Sequence, residues 1–184
     1  MNSFSPDQIL FEDNHLIAIN KRAGQLVQGD KTGDACLADE IKGFLKIKYN
    51  KPGNVFCGVI HRLDRPTSGV VIFAKTSKAL ERMNAQFREK LTDKSYIALV
   101  HGKLPNRNSL VHELKKNEQK NKSFVVDSGK GKEARLSYNP IKIFDSYTLI
   151  EVNLETGRHH QIRCQMAHIG HPLRGDLKYG AKRS

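Results

Sequence analysis

The sequence predicts an α+β fold built on a mainly antiparallel sheet, and two observations carry that prediction. Strand-length apolar runs are interspersed with only a few helical patterns, and nowhere do the two alternate as regular βαβ units. Of the 184 residues, 38% are hydrophobic, enough for a globular core under a large polar surface.

Ile9-Leu10-Phe11 and Leu16-Ile17-Ala18-Ile19 are apolar runs parted by Glu12-Asp13-Asn14-His15, a hairpin signal. Asp34 is placed to cap a helix that carries Leu37, Ile41, Phe44 and Leu45 on one face, and Lys51-Pro52-Gly53-Asn54 breaks the chain after it. Val70 to Ala74, bounded by Gly69 and Lys75, reads as a buried strand. Thr76 or Ser77 then caps a helix with Leu80, Met83, Phe87 and Leu91 at helical spacing. From Tyr96 to His101 the alternation puts Tyr96, Ala98 and Val100 on one face of a strand and Ile97 and Leu99 on the other.

Asn106 to Lys132 is polar and lysine-rich, which predicts a surface loop or weak hairpin. Lys130-Gly131-Lys132 within it is read as solvated, with phosphate contact as the alternative. Arg135 to Phe144 and Tyr147 to Leu154 follow as two strands. Thr156-Gly157 turns the chain into a helix over His159 to Ile169, stopped by Gly170 and Pro172.

The formal charge is +12, an electrostatic footprint for a polyanion, of which nucleic acid is the commonest. The last stretch concentrates it, with Arg158, Arg163, Arg174, Lys178, Lys182 and Arg183 against Asp176 alone. No run approaches the roughly 18 apolar residues of a membrane span, and Met1 to Pro6 lacks the basic and apolar regions of a secretory signal. Three widely spaced cysteines argue against a disulfide framework and suit a reducing compartment, so a cytoplasmic protein is expected.

His61-Arg62-Leu63-Asp64-Arg65-Pro66-Thr67-Ser68-Gly69 sets charged and hydroxyl side chains on a loop immediately before the apolar run at 70–74. Pro66 biases the preceding residues toward extended geometry. A carboxylate at Asp64 between Arg62 and Arg65 is expected to stay ionised, suited to act as nucleophile or base on an anionic substrate. An ordinary salt-bridged loop would have the same composition. A second cluster is Gly157-Arg158-His159-His160-Gln161-Ile162-Arg163, where His159 and Arg163 would share a helical face and the helix N-terminus offers amides to a phosphate. His159, His160, Cys164, His168 and His171 crowd this region, but His159 and His160 would diverge on a helix. No Cys-x-x-Cys or His-Glu-x-x-His pattern supports zinc, so no metal is expected.

The run His61 to Thr76 closely resembles the signature of the RluA family of pseudouridine synthases. So do Asn20-Lys21-Arg22-Ala23-Gly24 at the end of the first hairpin, Lys94 to Val100, and Leu154-Glu155-Thr156-Gly157-Arg158 through Arg163. Gly170-His171-Pro172 and Gly175-Asp176-Leu177-Lys178-Tyr179-Gly180 follow in family order. The sequence departs from the pattern at Arg22, usually proline, and at His159, usually threonine. The resemblance implies the pseudouridine synthase fold, a mixed, mainly antiparallel sheet flanked by helices with a central RNA-binding cleft. It also implies a single catalytic domain over 1–184 without a preceding S4-type RNA-binding domain. Family members continue into another strand beyond the equivalent of Tyr179-Gly180, so a C-terminally truncated chain is the open alternative.

The resemblance further implies that Asp64 is the catalytic aspartate, that Tyr96 stacks on the extruded base and that Arg163 pairs with Asp64. Its substrate-binding residues map to His61, Arg62, Leu63, Arg65, Thr67, Arg158 and His160. The implied reaction isomerises uridine to pseudouridine in ribosomal or transfer RNA and needs no cofactor, and the protein is expected to be a monomer. Two other classes compete: a non-catalytic RNA-binding module, and a glycosylase using the same carboxylate.

Overall fold

The computed structural model describes residues 3–30 and 32–183, which form two compact units, Met1–Leu91 and Thr92–Ser184. In the first unit, β1 (Ile9–Glu12), β2 (Leu16–Lys21), β3 (Gly58–Val59) and β4 (Gly69–Ala74) pair in the order β1-β2-β4-β3, every ladder antiparallel. The expected hairpin is β1–β2, closed by Asp13, whose carboxylate accepts the amides of His15 and Leu16. Ile17 faces Phe73 and Ile19 faces Val71, so period-two alternation puts all four on one side of the sheet. There α1 (Leu37–Lys48) lays Leu37, Ile41 and Leu45 against them, all buried.

Asp34 does not cap α1. The N-cap is Cys36, without a side-chain cap bond, and the first helical amides are satisfied by main chain: Leu37 N donates to Leu26 O at 2.8 Å and Ala38 N to Val27 O at 3.2 Å. A preceding segment running alongside the helix start removes the need for a side-chain acceptor. Within the run at 70–74, Val71 and Phe73 are buried on the α1 side, while the opposite face grades from Val70, 53% exposed, through half-buried Ile72 to buried Ala74. After it comes α2 (Ser77–Arg88), capped as expected by Thr76, whose Oγ1 accepts Ala79 N at 3.1 Å. Leu91 falls outside this helix. Lys90 turns left-handed at φ 58°, and Leu91 N reaches back to Gln86 O, a helix stop that leaves the Leu91 side chain exposed.

The second unit is a five-stranded antiparallel sheet, β5 (Ser95–His101), β6 (Asn108–Asn117), β7 (Lys122–Val126), β8 (Lys132–Ile143) and β9 (Tyr147–Leu154), ordered β5-β9-β8-β6-β7. Ala98, Val100, Leu110, Leu136, Ile150 and Val152 form its core with Met166 of α3 (Gln161–His168). Of the two readings of the polar stretch, loop or weak hairpin, the hairpin is the one found: β6 and β7 pair from Glu113↔Val126 to Asn117↔Lys122, and the ladder is continuous with the sheet. Only Leu110 and Leu114 mark its buried side, too sparse a pattern to outweigh the lysines between them. The predicted helix begins two residues late, at Gln161, because His160 is left-handed at φ 51°. The cysteines Cys36, Cys57 and Cys164 are free thiols, all buried.

Glu12 ends β1 and ties the first unit together. Its carboxylate receives Lys75 Nζ at 2.6 Å, Lys48 Nζ at 2.7 Å and Tyr49 Oη at 2.7 Å. Burial opposes ionisation, but the bonds from Lys48, Lys75 and Tyr49 outweigh it and bring the carboxyl from its ordinary 4.5 down to about 2. A carboxyl with a lowered folded-state pKa stabilises the fold above its unfolded pKa and loses that contribution as pH falls through the folded value. Glu12 therefore contributes about 3 kcal/mol at neutral pH, lost between about pH 4.5 and 2. Glu12→Gln should lower stability by an amount of that order at pH 7. It should also flatten the dependence of denaturant midpoint on pH across that acid window.

Candidate active site

The residues from His61 to Ser68 connect β3 to β4, and each end of this loop is anchored. His61 Nε2 accepts the amide of Ile72 at 3.1 Å and its ring stacks on Phe87, with centroids 5.2 Å apart. Leu63 packs against the first-unit core. Asp64 to Thr67 make a tight turn in which Thr67 N donates to Asp64 O at 3.0 Å. Asp64 and Thr67 are half-buried, and Arg62 is exposed.

Beneath this turn lies Lys21, fully buried. Its ammonium donates to Thr67 O at 2.5 Å, Arg65 O at 3.1 Å and Arg22 O at 3.2 Å. An ammonium has three donors, and all three are spent on main-chain carbonyls, two from the Asp64 loop and one from the turn after β2. Burial pulls the lysine down to about 8, while the Asp64 carboxylate acts in the opposite direction and favours its charged form. Gly24 N adds a bond to Arg65 O at 2.7 Å from a position at φ 91°, conformational territory that suits glycine.

This geometry corrects the expectation that Arg65 flanks the carboxylate. The Arg65 guanidinium is turned to Asp34 at 2.8 Å and to Gly24 O at 3.1 Å. A cation that feels the charge of Asp64 is Lys21, which did not figure among the expected site residues. Its signal was present in the alternation: Ile17, Ile19 and Lys21 occupy every second position, so a lysine sits in phase with two core residues.

In the second unit, Tyr96 lies half-buried on β5 opposite Val152, packed against the core around Met166. Arg158 is exposed and donates from Nε to Glu133 O at 2.8 Å. Since α3 starts at Gln161, His159 shares no helical face with Arg163. The left-handed turn at His160 brings the rings of His159 and His160 into a stack 3.8 Å apart instead of splaying them. His159 Nδ1 meets Ser123 Oγ at 2.9 Å, and His160 Nδ1 meets the Tyr179 hydroxyl at 3.1 Å. Arg163, on α3, is bound by Asp176 through Nε at 2.6 Å and Nη2 at 2.8 Å. Asp176, Tyr179 and Ser123 were also absent from the expected set, and the long sequence separation of Ser123 from Tyr179 hid that pairing.

Residues 15–168 match the family model described as RNA pseudouridylate synthase. The ribosomal large subunit pseudouridine synthase C of Buchnera aphidicola subsp. Acyrthosiphon pisum is 42% identical over 176 residues, covering 95% of this chain and 54% of its own length. The ribosomal large subunit pseudouridine synthase D of Borreliella burgdorferi is 36% identical over 184 residues, covering 95% and 55%. The chain thus spans about half the length of the curated relatives it matches. Among solved structures, human RNA pseudouridylate synthase domain containing 4 aligns with a TM-score of 0.81 at 24% identity, over 97% of this chain and 73% of the other. Human RNA pseudouridylate synthase domain containing 1 gives 0.76 at 23%, over 94% and 69%. At that identity the two structures speak for the fold.

Replacing Lys21 by methionine keeps the bulk but removes three charge-assisted bonds, so Lys21→Met should cost about 2 kcal/mol or more. Amide exchange at Gly24 and Thr67 should accelerate beyond what the global loss explains. Unchanged exchange there would mean the lysine does not hold the turn.

Proposed function

The chain belongs to the RNA pseudouridylate synthase family, and from that premise we propose that it isomerises uridine to pseudouridine in structured RNA with Asp64 as the essential carboxylate. The observation that supports this most is the pinned turn: Thr67 N and the Lys21 ammonium hold the main chain around a half-buried Asp64. A reacting group held in place before substrate arrives avoids an ordering cost during reaction.

In the proposed reaction the target nucleotide swings out of its stack, at a cost of a few kcal/mol that is least in loops and ends. The bond from ribose C1′ to uracil N1 breaks, the base turns, and C1′ rejoins through C5. The proton leaving C5 is balanced by one gained at N1, so the product is an isomer and no oxidant, nucleotide triphosphate or cofactor enters the balance. Asp64 assists glycosidic cleavage by attack on ribose, attack on the base, or removal of a ribose proton. Tyr96 is proposed to stack on the base and act near its C5, and Arg163 to serve as the counter-cation of Asp64. Arg62, Arg65, Thr67, Arg158 and His160 are proposed to meet the RNA, with His61 and Leu63, bonded and packed inward, shaping the loop that does so.

The names of the relatives point to large-subunit ribosomal RNA as the first substrate to try, with transfer RNA second. A cytoplasmic monomer is the proposed working form. Among the described residues no helix is long and apolar enough to cross a membrane.

Asp64→Asn should abolish pseudouridine formation in a large-subunit ribosomal RNA transcript, read by chemical mapping, while RNA affinity stays within a few-fold. An Asp64 variant as active as wild type would remove the assignment and favour a binding module; free uracil in the products would instead mark a glycosylase. Tyr96→Phe should keep RNA affinity, because the ring that stacks is retained. Its rate of isomerisation then reads the contribution of the hydroxyl.

A further inference from the structure

The C-terminal turn of the second unit grips Arg163 from two directions. Asp176 accepts from Nε at 2.6 Å and from Nη2 at 2.8 Å, a forked contact that fixes both the direction and the rotation of the guanidinium plane. The ring of Tyr179 lies over the same group, 5.1 Å from Cζ. Both side chains of the ion pair are largely withdrawn from water, at 16% and 9% exposure.

Asp176 and Tyr179 come from one short 3-10 turn over Leu177–Tyr179. Tyr179 N donates to Asp176 O at 3.0 Å, Ala181 N donates to the same oxygen at 3.1 Å, and Gly180 reverses the chain at φ 92°. The turn is itself anchored. The Tyr179 hydroxyl accepts Ser123 N from β7 at 2.8 Å and meets His160 Nδ1 at 3.1 Å. Burial pushes this phenol up to about 12, so it remains a neutral partner across the working range of pH.

A salt bridge withdrawn from water is a poor source of stability, since desolvating both ions consumes much of the attraction. What the forked contact supplies is orientation: a long arginine side chain has much rotamer entropy to lose. Losing it on folding spares that loss when a transition state forms. We infer that Asp176 is a positioning residue for the isomerisation, setting the guanidinium of Arg163 before RNA binds, with Tyr179 as the platform beneath it. This inference rests on the proposed function, and it gives the Gly175–Gly180 turn a task in catalysis without contact to the substrate.

The test is a double-mutant cycle on the full chain acting on the ribosomal RNA transcript. Asp176→Asn keeps size and removes charge, and should lower kcat about ten- to a hundred-fold with KM within about three-fold. The Arg163 Nε–H resonance, held in a short bond in the wild type, should shift and exchange faster in that variant. In an Arg163→Lys background, Asp176→Asn should cost nothing further, because it acts only through the arginine. Wild-type kcat in Asp176→Asn, or losses that add in the double variant, would overturn the inference. If Asp176→Asn does not fold, Asp176→Glu decides: a folded protein with full kcat overturns it, and a reduced kcat with a displaced Arg163 resonance supports it. Failure of the functional reading looks different, since wild type and Asp64→Asn would then be equally inactive on every RNA tried.

Discussion

The first unit depends on one buried ammonium. Removing a lysine from water costs several kcal/mol unless its donors are met, and Lys21 meets all three with carbonyls of residues 22, 65 and 67. Those carbonyls belong to two segments far apart in sequence, so the charge sews the turn after β2 to the loop before β4. Gly24 N adds a second stitch to the same Arg65 carbonyl. With Leu63 in the core and His61 bonded to Ile72 N, the connection bearing Asp64 is fixed at several points along its length. A carboxylate presented this way carries little freedom of its own.

The second unit solves a similar problem with the signs reversed. There the cation is on a helix and the acceptor on a turn: Asp176 holds Arg163, and the turn is held through Tyr179 by β7 and His160. In both units a charged side chain is oriented by groups that no reacting atom needs to touch. Lys21 is buried in the region a lysine enters only when its donors are matched, and Asp176 is nearly so. Each is better understood as a fixture for a neighbouring side chain than as a reserve of stability.

Much of the architecture was legible in the sequence. The hairpin, the Thr76 cap and the strands at 95–101 and 147–154 carry local signals, propensity and period, that tertiary context did not override. The failures share a cause. Asp34 is a good capping residue, but main-chain carbonyls of Leu26 and Val27 already served the helix start, and Arg65 claimed the carboxylate. The left-handed conformation at His160 is a backbone state that histidine rarely adopts, so periodicity carried the helix two residues too far. The loop chemistry was visible as composition, yet within the first unit the cations for Asp64 were sought among its chain neighbours Arg62 and Arg65. Lys21, forty-three positions earlier, announced itself only by standing where the strand's inward face required something apolar.

The three buried thiols bear on how the protein withstands oxidants. A thiol reacts as its thiolate, and burial raises all three, Cys57 to about 12 and Cys164 to about 11. At neutral pH each is a protonated, apolar filler, with Cys164 donating to Ser123 O at 3.3 Å. The native chain therefore offers peroxide or a second copy of itself almost no nucleophilic sulfur. Covalent cross-linking between molecules becomes a symptom of unfolding, and a non-reducing gel of a heated sample would register that loss of structure directly.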